Sequence, residues 1–324
     1  MRAVVFTGAG GNEVVHVEER ADPVIGDHEV LVDVVAAGLN PADLQQREGR
    51  YPAPPGVVSD VPGLEVSGTV AEVGSAVTGW RAGDRVFGLV AGGGLASRVA
   101  VHERCVAEVP DRFDDQQAAA IPEVFITAHD ALTTQGELRT GETVLVHGAS
   151  GAVGSAALQI ARALGATTLG VIRSERAAEA VRNLGAEPID STGFEMAALE
   201  HTDGRGVDLV LELVGASNLR GDLEAIALRG RIVVVSVAAG STADINLLRL
   251  MVRRATVRGT VLRARSIDEK AAAVTRFADE VVPMLADGTI EPVVDSVVSV
   301  DDVAAAFDRL QQPGRNGKVL IRFS

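Results

Sequence analysis

The residues best suited to chemistry form a turn of small side chains, Gly148-Ala149-Ser150-Gly151-Ala152-Val153-Gly154. An apolar run, Thr143 to His147, precedes it, and a helical pattern reaching Ala161 follows. In the spacing Ala149-x-Gly151-x-x-Gly154, Gly151 would let backbone approach a pyrophosphate and Gly154 would let the helix pack on the strand. The start of that helix has unpaired N–H groups and positive potential, so the whole turn is expected to cradle a dinucleotide. Among 35 glycines such a spacing arises easily by chance. It gains weight from three further apolar runs, Thr167 to Ile172, Val207 to Leu211 and Arg231 to Val235.

Nineteen residues past Gly154, where an acid would bind a free ribose 2′-hydroxyl, stands Arg173, followed by Ser174 and then Arg176. Two guanidinium groups and a hydroxyl suit a 2′-phosphate dianion, so NADP is expected rather than NAD. The plain alternative is a solvated charge after a strand, and Glu175 could pair with either arginine.

The elements that must position these residues change rhythm along the chain, whose 324 residues amount to about two domains. As far as about residue 120 the pattern is of short strands (29–37, 63–73, 84–90, 97–101), a β-rich, barrel-like half. From Glu142 onward, apolar runs alternate with helical stretches, as in a parallel sheet buried on both faces. After Thr256 to Thr260 come an amphipathic helix over Ile267 to Ala286, a strand over Val293 to Val298, a short helix from Asp301 and a closing strand, Lys318 to Phe323. The last strands could return to the first half, with joints near residues 122 and 262. The fold class is α/β.

Lys plus Arg at 30 against Asp plus Glu at 44 leaves a net charge of −14, which disfavours nucleic acid as a partner. No run approaches the ~18 apolar residues that cross a bilayer. The start, Met1 to Phe6, reads as a strand and lacks a signal-peptide pattern, so a cytoplasmic location is expected. One cysteine, Cys105, forbids an internal disulfide and reads as a small buried hydrophobe. The six histidines form no helical i, i+4 pair, and His147 reads as structural.

Several further motifs carry a likeness along nearly the whole chain: Asn40-Pro41-Ala42-Asp43 through Tyr51-Pro52, Gly63-Leu64-Glu65-x-x-Gly68, Gly83-Asp84-Arg85-Val86, Ala118 through Glu123, Thr127-Ala128 and Gly317-Lys318-Val319. With them the chain resembles the zinc-independent quinone oxidoreductases of the medium-chain dehydrogenase/reductase superfamily, most of all the subgroup induced by a tumour-suppressor transcription factor. The resemblance implies a groES-like catalytic domain over 1–122 and 263–324, a Rossmann NADP-binding domain over 123–262, an active site in a cleft and commonly a homodimer. Zinc-dependent relatives carry Cys in the region of Asn40 and His at the place of Leu64, so no metal is expected.

Without a metal, an acid–base dyad or an activated nucleophile, the reactive atom belongs to the cofactor and the protein positions it. The family pattern implies that Asn40 and Tyr51 border the acceptor and that Thr127 meets the nicotinamide. It also implies that Val214, Gly215, Val237, Thr260 and Leu262 line the cofactor path, and that Asn316 and Lys318 close over it. Asn40 before Pro41 equally suits a helix cap. Tyr51, the only tyrosine, stands in a proline-rich loop that holds its ring at low entropic cost. Its hydroxyl could donate a hydrogen bond to a quinone oxygen, or a proton during reduction of an enone, alkenal or enoyl thioester. NADPH-dependent quinone reduction is the expected function; reduction of an activated C=C bond and non-catalytic NADPH binding are the alternatives. One departure stands out: relatives place a 2′-phosphate-binding tyrosine where this chain has Ile189-Asp190-Ser191.

Overall fold

The computed structural model describes residues 1–323. In chain order its strands are β1 (Arg2–Phe6), β2 (Val15–Glu19), β3 (Glu29–Leu39), β4 (Glu65–Val73), β5 (Arg85–Leu89), β6 (Arg98–His102), β7 (Val106–Glu108), β8 (Thr143–Val146), β9 (Thr167–Ile172), β10 (Glu187–Asp190), β11 (Val207–Glu212), β12 (Ile226–Val234), β13 (Thr256–Gly259), β14 (Val294–Ser299) and β15 (Lys318–Arg322). The helices are α1 (Pro41–Arg47), α2 (Asp115–Ala118), α3 (Pro122–His129), α4 (Ala152–Ala163), α5 (Glu175–Asn183), α6 (Phe194–Glu200), α7 (Leu219–Ala225), α8 (Leu247–Arg253), α9 (Ile267–Glu280), α10 (Val282–Asp287) and α11 (Val303–Gln311). The chain divides into two compact units: Met1–Ile126 with Leu262–Gly288 and Pro292–Ser324, and Thr127–Val261 with Thr289–Glu291.

The first unit is built on a sheet in the order β14-β15-β3-β4-β5-β7, with β6 also paired to β3 and a separate β1–β2 hairpin. Along β3 only Glu29, Asp33 and Val35 escape burial, because strands pair with it on both edges. The last strand returns to this one, Val319 lying opposite Leu39. Its core gathers Val4, Val32, Val66, Val86, Phe307, Val319 and Ile321. Cys105 is buried there, and burial pushes its thiol up to about 11, so it is chemically quiet.

The second unit is the parallel sheet that the unalternating runs imply, in the order β10-β9-β8-β11-β12-β13. Connections run outward from β8 on one side and from β11 on the other, so the strand order reverses between these two. Ligands of such sheets bind beyond the carboxyl ends of the strands at that switch.

Two elements differ from the sequence reading. The amphipathic helix over 267–286 is two helices, α9 and α10, joined at Val281, because Pro283 in the first turn of α10 has no N–H to continue the ladder. Strand β12 begins at Ile226 rather than Arg231; a register shift and Arg229 at φ 64° interrupt its pattern. Among the described residues no helix is long and apolar enough to cross a membrane.

Candidate functional site

In the second unit the chain leaves β8 through His147 and turns at Gly148, where φ is 62°. The first intrahelical bond of α4 runs from Ser155 N–H to Gly151 C=O at 2.8 Å, so the N–H groups of Ala152 and Val153 precede the ladder. A Cβ on Gly154 would stand 2.3 Å from Gly148 O and 2.9 Å from Ala149 Cα, so only glycine fits there. One on Gly151 would meet only Gly148 O, at 3.2 Å, which leaves its outer side open. An open backbone face with spare donors at a helix start fits a pyrophosphate.

Beyond β9 the exposed Arg173 and Arg176 flank Ser174, whose Oγ accepts Ala177 N–H at 3.3 Å and caps α5. Glu175 pairs with Arg182 at 2.8 Å, and neither Arg173 nor Arg176 has an ion pair or hydrogen bond among the described residues. On the next strand Asp190 lies in register with Ile172 and accepts Thr192 N–H at 2.7 Å.

Across the switch from Gly148, Val214 and Gly215 follow β11; a Cβ on Gly148 would lie 3.6 Å from Val214. Ala239 N–H donates to Val214 O at 2.7 Å, which ties this loop to the one after β12, where Val237 is exposed. Thr260 N–H donates to Val234 O. Thr127 Oγ1 is buried without a partner among the described residues. The second unit also holds a dyad that the sequence reading did not expect: His147 Nε2 lies 2.7 Å from Asp222 Oδ1, although 75 residues separate them.

In the first unit Asn40 is the N-cap of α1, in a capping box with Asp43, whose Oδ2 accepts the Asn40 N–H at 2.8 Å. Lys318 Nζ donates to Asn40 Oδ1 at 2.5 Å and pairs with Glu65, while Asn40 Nδ2 donates to Glu65 Oε1 at 3.0 Å. Glu65 Oε2 accepts Glu123 N–H at 2.8 Å. Lys318 is 3% exposed and Glu65 fully buried. Lys318 is thus placed otherwise than the sequence reading expects: its ammonium answers a buried carboxylate. Asn316 N–H donates to Asp295 Oδ1 at 3.0 Å, and Leu262 is a buried core residue of this unit.

Arg263, whose importance nothing in the sequence signals, lies over the Tyr51 ring at 5.0 Å and donates to Gln46 Oε1 at 2.6 Å and Ala91 O at 2.7 Å. Burial, with the Glu65 charge, pushes Glu123 up to about 8, against the pull of Lys318. Burial likewise takes Asp43 up to about 6 and raises the Tyr51 hydroxyl, which stays protonated at neutral pH. Zinc does not fit this cluster: Leu64 is apolar, and the lysine ammonium holds the centre between Asn40 and Glu65.

The Alcohol dehydrogenase GroES-like domain family matches residues 26–111 and the Zinc-binding dehydrogenase family residues 152–280. Quinone oxidoreductase of Homo sapiens is 32% identical over 327 residues, spanning 99% of this chain and 97% of that protein. The crystal structure of a Pseudomonas syringae quinone oxidoreductase superposes with a TM-score of 0.89 at 30% identity over 99% of each chain. Escherichia coli quinone oxidoreductase complexed with NADPH does so with a TM-score of 0.89 at 27% identity over 100% of both.

Proposed function

The chain belongs to the quinone oxidoreductases of the medium-chain dehydrogenase/reductase superfamily, and we propose that it transfers reducing equivalents from NADPH to small quinones without a metal. As a member it is an oxidoreductase that uses NAD(P)H. The reduced nicotinamide, when bound, supplies the hydride. The observation that carries the metal-free reading is the Lys318 ammonium between Asn40 and Glu65, a fixed cation in the cluster that includes Asn40. The turn 148–154 holds the pyrophosphate through Ala152 and Val153 N–H, Thr127 offers its buried hydroxyl to the nicotinamide end, and Arg173, Ser174 and Arg176 take the 2′-phosphate. Val214, Gly215, Val237 and Thr260 line the path beyond the strands. Asn40 and Tyr51 face the acceptor. The Tyr51 hydroxyl, raised by burial, is a hydrogen-bond donor to the oxygen on which charge develops.

A second reading, reduction of an activated C=C bond with Tyr51 as proton donor, is favoured by Glu123 in the same cluster, whose carboxyl burial pushes up to about 8 so that it holds a proton at neutral pH. Stopped-flow mixing of enzyme and NADPH with benzoquinones, naphthoquinones and enones separates the two. Rapid loss of NADPH absorbance with quinones is expected, slowed but not abolished in Tyr51→Phe, since the ring and its stacking persist while one donor to the acceptor oxygen is lost. No turnover with any quinone overturns the quinone reading. Turnover confined to enones and abolished in Tyr51→Phe establishes the second.

We also propose a homodimer. Strand β13 is a sheet edge with unpaired backbone groups, and beside it Leu247, Leu248, Met251, Val252 and Val257 are exposed, Met251 at 70%. Light scattering is expected to give twice the 33.6 kDa chain mass, and Leu248→Glu with Met251→Glu to halve it. A wild-type mass of one chain removes the proposal.

A further inference from the structure

Beneath the proposed cofactor turn lies a buried polar network that no step above uses. Glu212 ends β11, and its Oε1 accepts the N–H groups of both Val214 and Gly215, at 2.5 and 2.7 Å. One carboxylate oxygen thereby curls the loop that forms one lip of the switch point. His147, which carries the chain from β8 into the other lip, puts Nε2 at 2.7 Å from Asp222 Oδ1 and 3.7 Å from Glu212 Oε2. Asn218 Nδ2 lies 3.2 Å from His147 Nδ1, on the side of the ring away from Asp222. The Phe194 ring meets the imidazole edge-on at 4.7 Å and closes the cluster.

All three titratable groups are buried, Asp222 completely. Glu212 Oε2 and Asp222 Oδ2 have no hydrogen-bond partner among the described residues. Three titratable side chains buried beside the apolar core of this sheet are costly, and a packed hydrophobic cluster would hold the strands at less cost. What the network does that apolar packing cannot is grip backbone N–H groups, and the ones it grips belong to the cofactor lip.

We propose that Glu212 and His147 are positioning residues: through Asp222 they staple the Val214–Gly215 loop to the glycine turn and fix the width of the crevice at the switch point. The staple therefore serves the pyrophosphate and nicotinamide portions, which NADPH and NADH share, and has no part in the 2′-phosphate. Gly215 completes the arrangement. Its φ is 130°, and a Cβ there would stand 2.8 Å from Gly240 O and 3.0 Å from Val237 Cα. A side chain at this position moves the lip without touching the buried cluster.

The inference rests on the NAD(P)H reading, and titration calorimetry of both cofactors tests the two separately. Glu212→Ala is expected to raise the dissociation constants for NADPH and NADH by the same factor, about tenfold or more. Glu212→Gln should restore both, because its amide oxygen still accepts the two N–H groups and its NH2 donates to Asp222. A lower melting temperature with unchanged affinity in Glu212→Ala would make the network mere scaffold and overturn the proposal. So would a loss confined to NADPH. Should Glu212→Ala not fold, Gly215→Ala must show the same equal loss, and unchanged affinity there also overturns it. A wild-type protein that binds neither cofactor would refute the NAD(P)H reading itself.

Discussion

Replacing Arg173 and Arg176 together with alanine is expected to weaken NADPH by about 100-fold while leaving NADH within about twofold of its original affinity. Each charge-assisted contact to a phosphate contributes roughly 1.5–3 kcal/mol, and every 1.4 kcal/mol is about tenfold in affinity. Both side chains are exposed beyond the end of β9 and have no ion pair or hydrogen bond among the described residues, since Glu175 turns to Arg182. Ser174, as the cap of α5, keeps that helix start, with its positive potential, between them. Asp190 opposes the effect: it ends the neighbouring strand with an acidic side chain, though its Oδ1 is committed to Thr192 N–H. The single variants should each lose about tenfold, with the double departing from their sum if both grip one phosphate. Calorimetric titration decides it. Equal losses for NADH and NADPH would place the arginines in the fold or on the pyrophosphate, and a wild-type preference for NADH would overturn the NADP assignment.

That contrast with the Glu212 variants shows which parts of the site sequence can disclose. The arginines and the glycine turn are legible because they act through local spacing: strand, turn and helix follow one another, and a residue nineteen places on falls at the next strand end. Strands β8, β9 and β11 are legible for a related reason, since burial on both faces leaves largely apolar runs without polar alternation. The start of β12 is hidden because the strand passes Leu228, exposed, Arg229 at positive φ and Gly230, which together read as a turn. The break after α9 is hidden because hydrophobic periodicity continues across it, and only Pro283 marks it. The polar clusters are invisible for a stronger reason. Asn40 meets Glu65 across 25 residues and Lys318 across 278, so no local pattern announces them. A lone buried lysine or glutamate in a list of charges looks like any solvated one until the fold closes.

The same nonlocality makes Lys318 the most consequential single side chain of the first unit. Replacing it with methionine is expected to cost about 3–5 kcal/mol, because Glu65 is left as a buried carboxylate with, among the described residues, only the Asn40 amide and Glu123 N–H to answer it. The cost should grow with pH, and its sign follows from the neighbouring carboxyls. Glu123 titrates at about 8 against an ordinary 4.5, and Asp43 at about 6 against 3.8. The unfolded chain therefore gives up these protons before the folded one does, so wild-type stability falls as pH rises from about 4 to about 8. Lys318 lowers both groups, and its removal raises them further and steepens the fall. Glu123→Gln should do the reverse, matching wild type near pH 5 and exceeding it at pH 8. Urea unfolding at both values, followed through Trp80, the only tryptophan and a residue of this unit, reads these differences directly. Removing both partners in Glu65→Gln with Lys318→Met should cost less than Lys318→Met alone, since no bare charge remains. A Lys318→Met midpoint equal to wild type at pH 8 would mean that water or rearrangement satisfies Glu65, and the ammonium would then be dispensable to the cluster that holds Asn40.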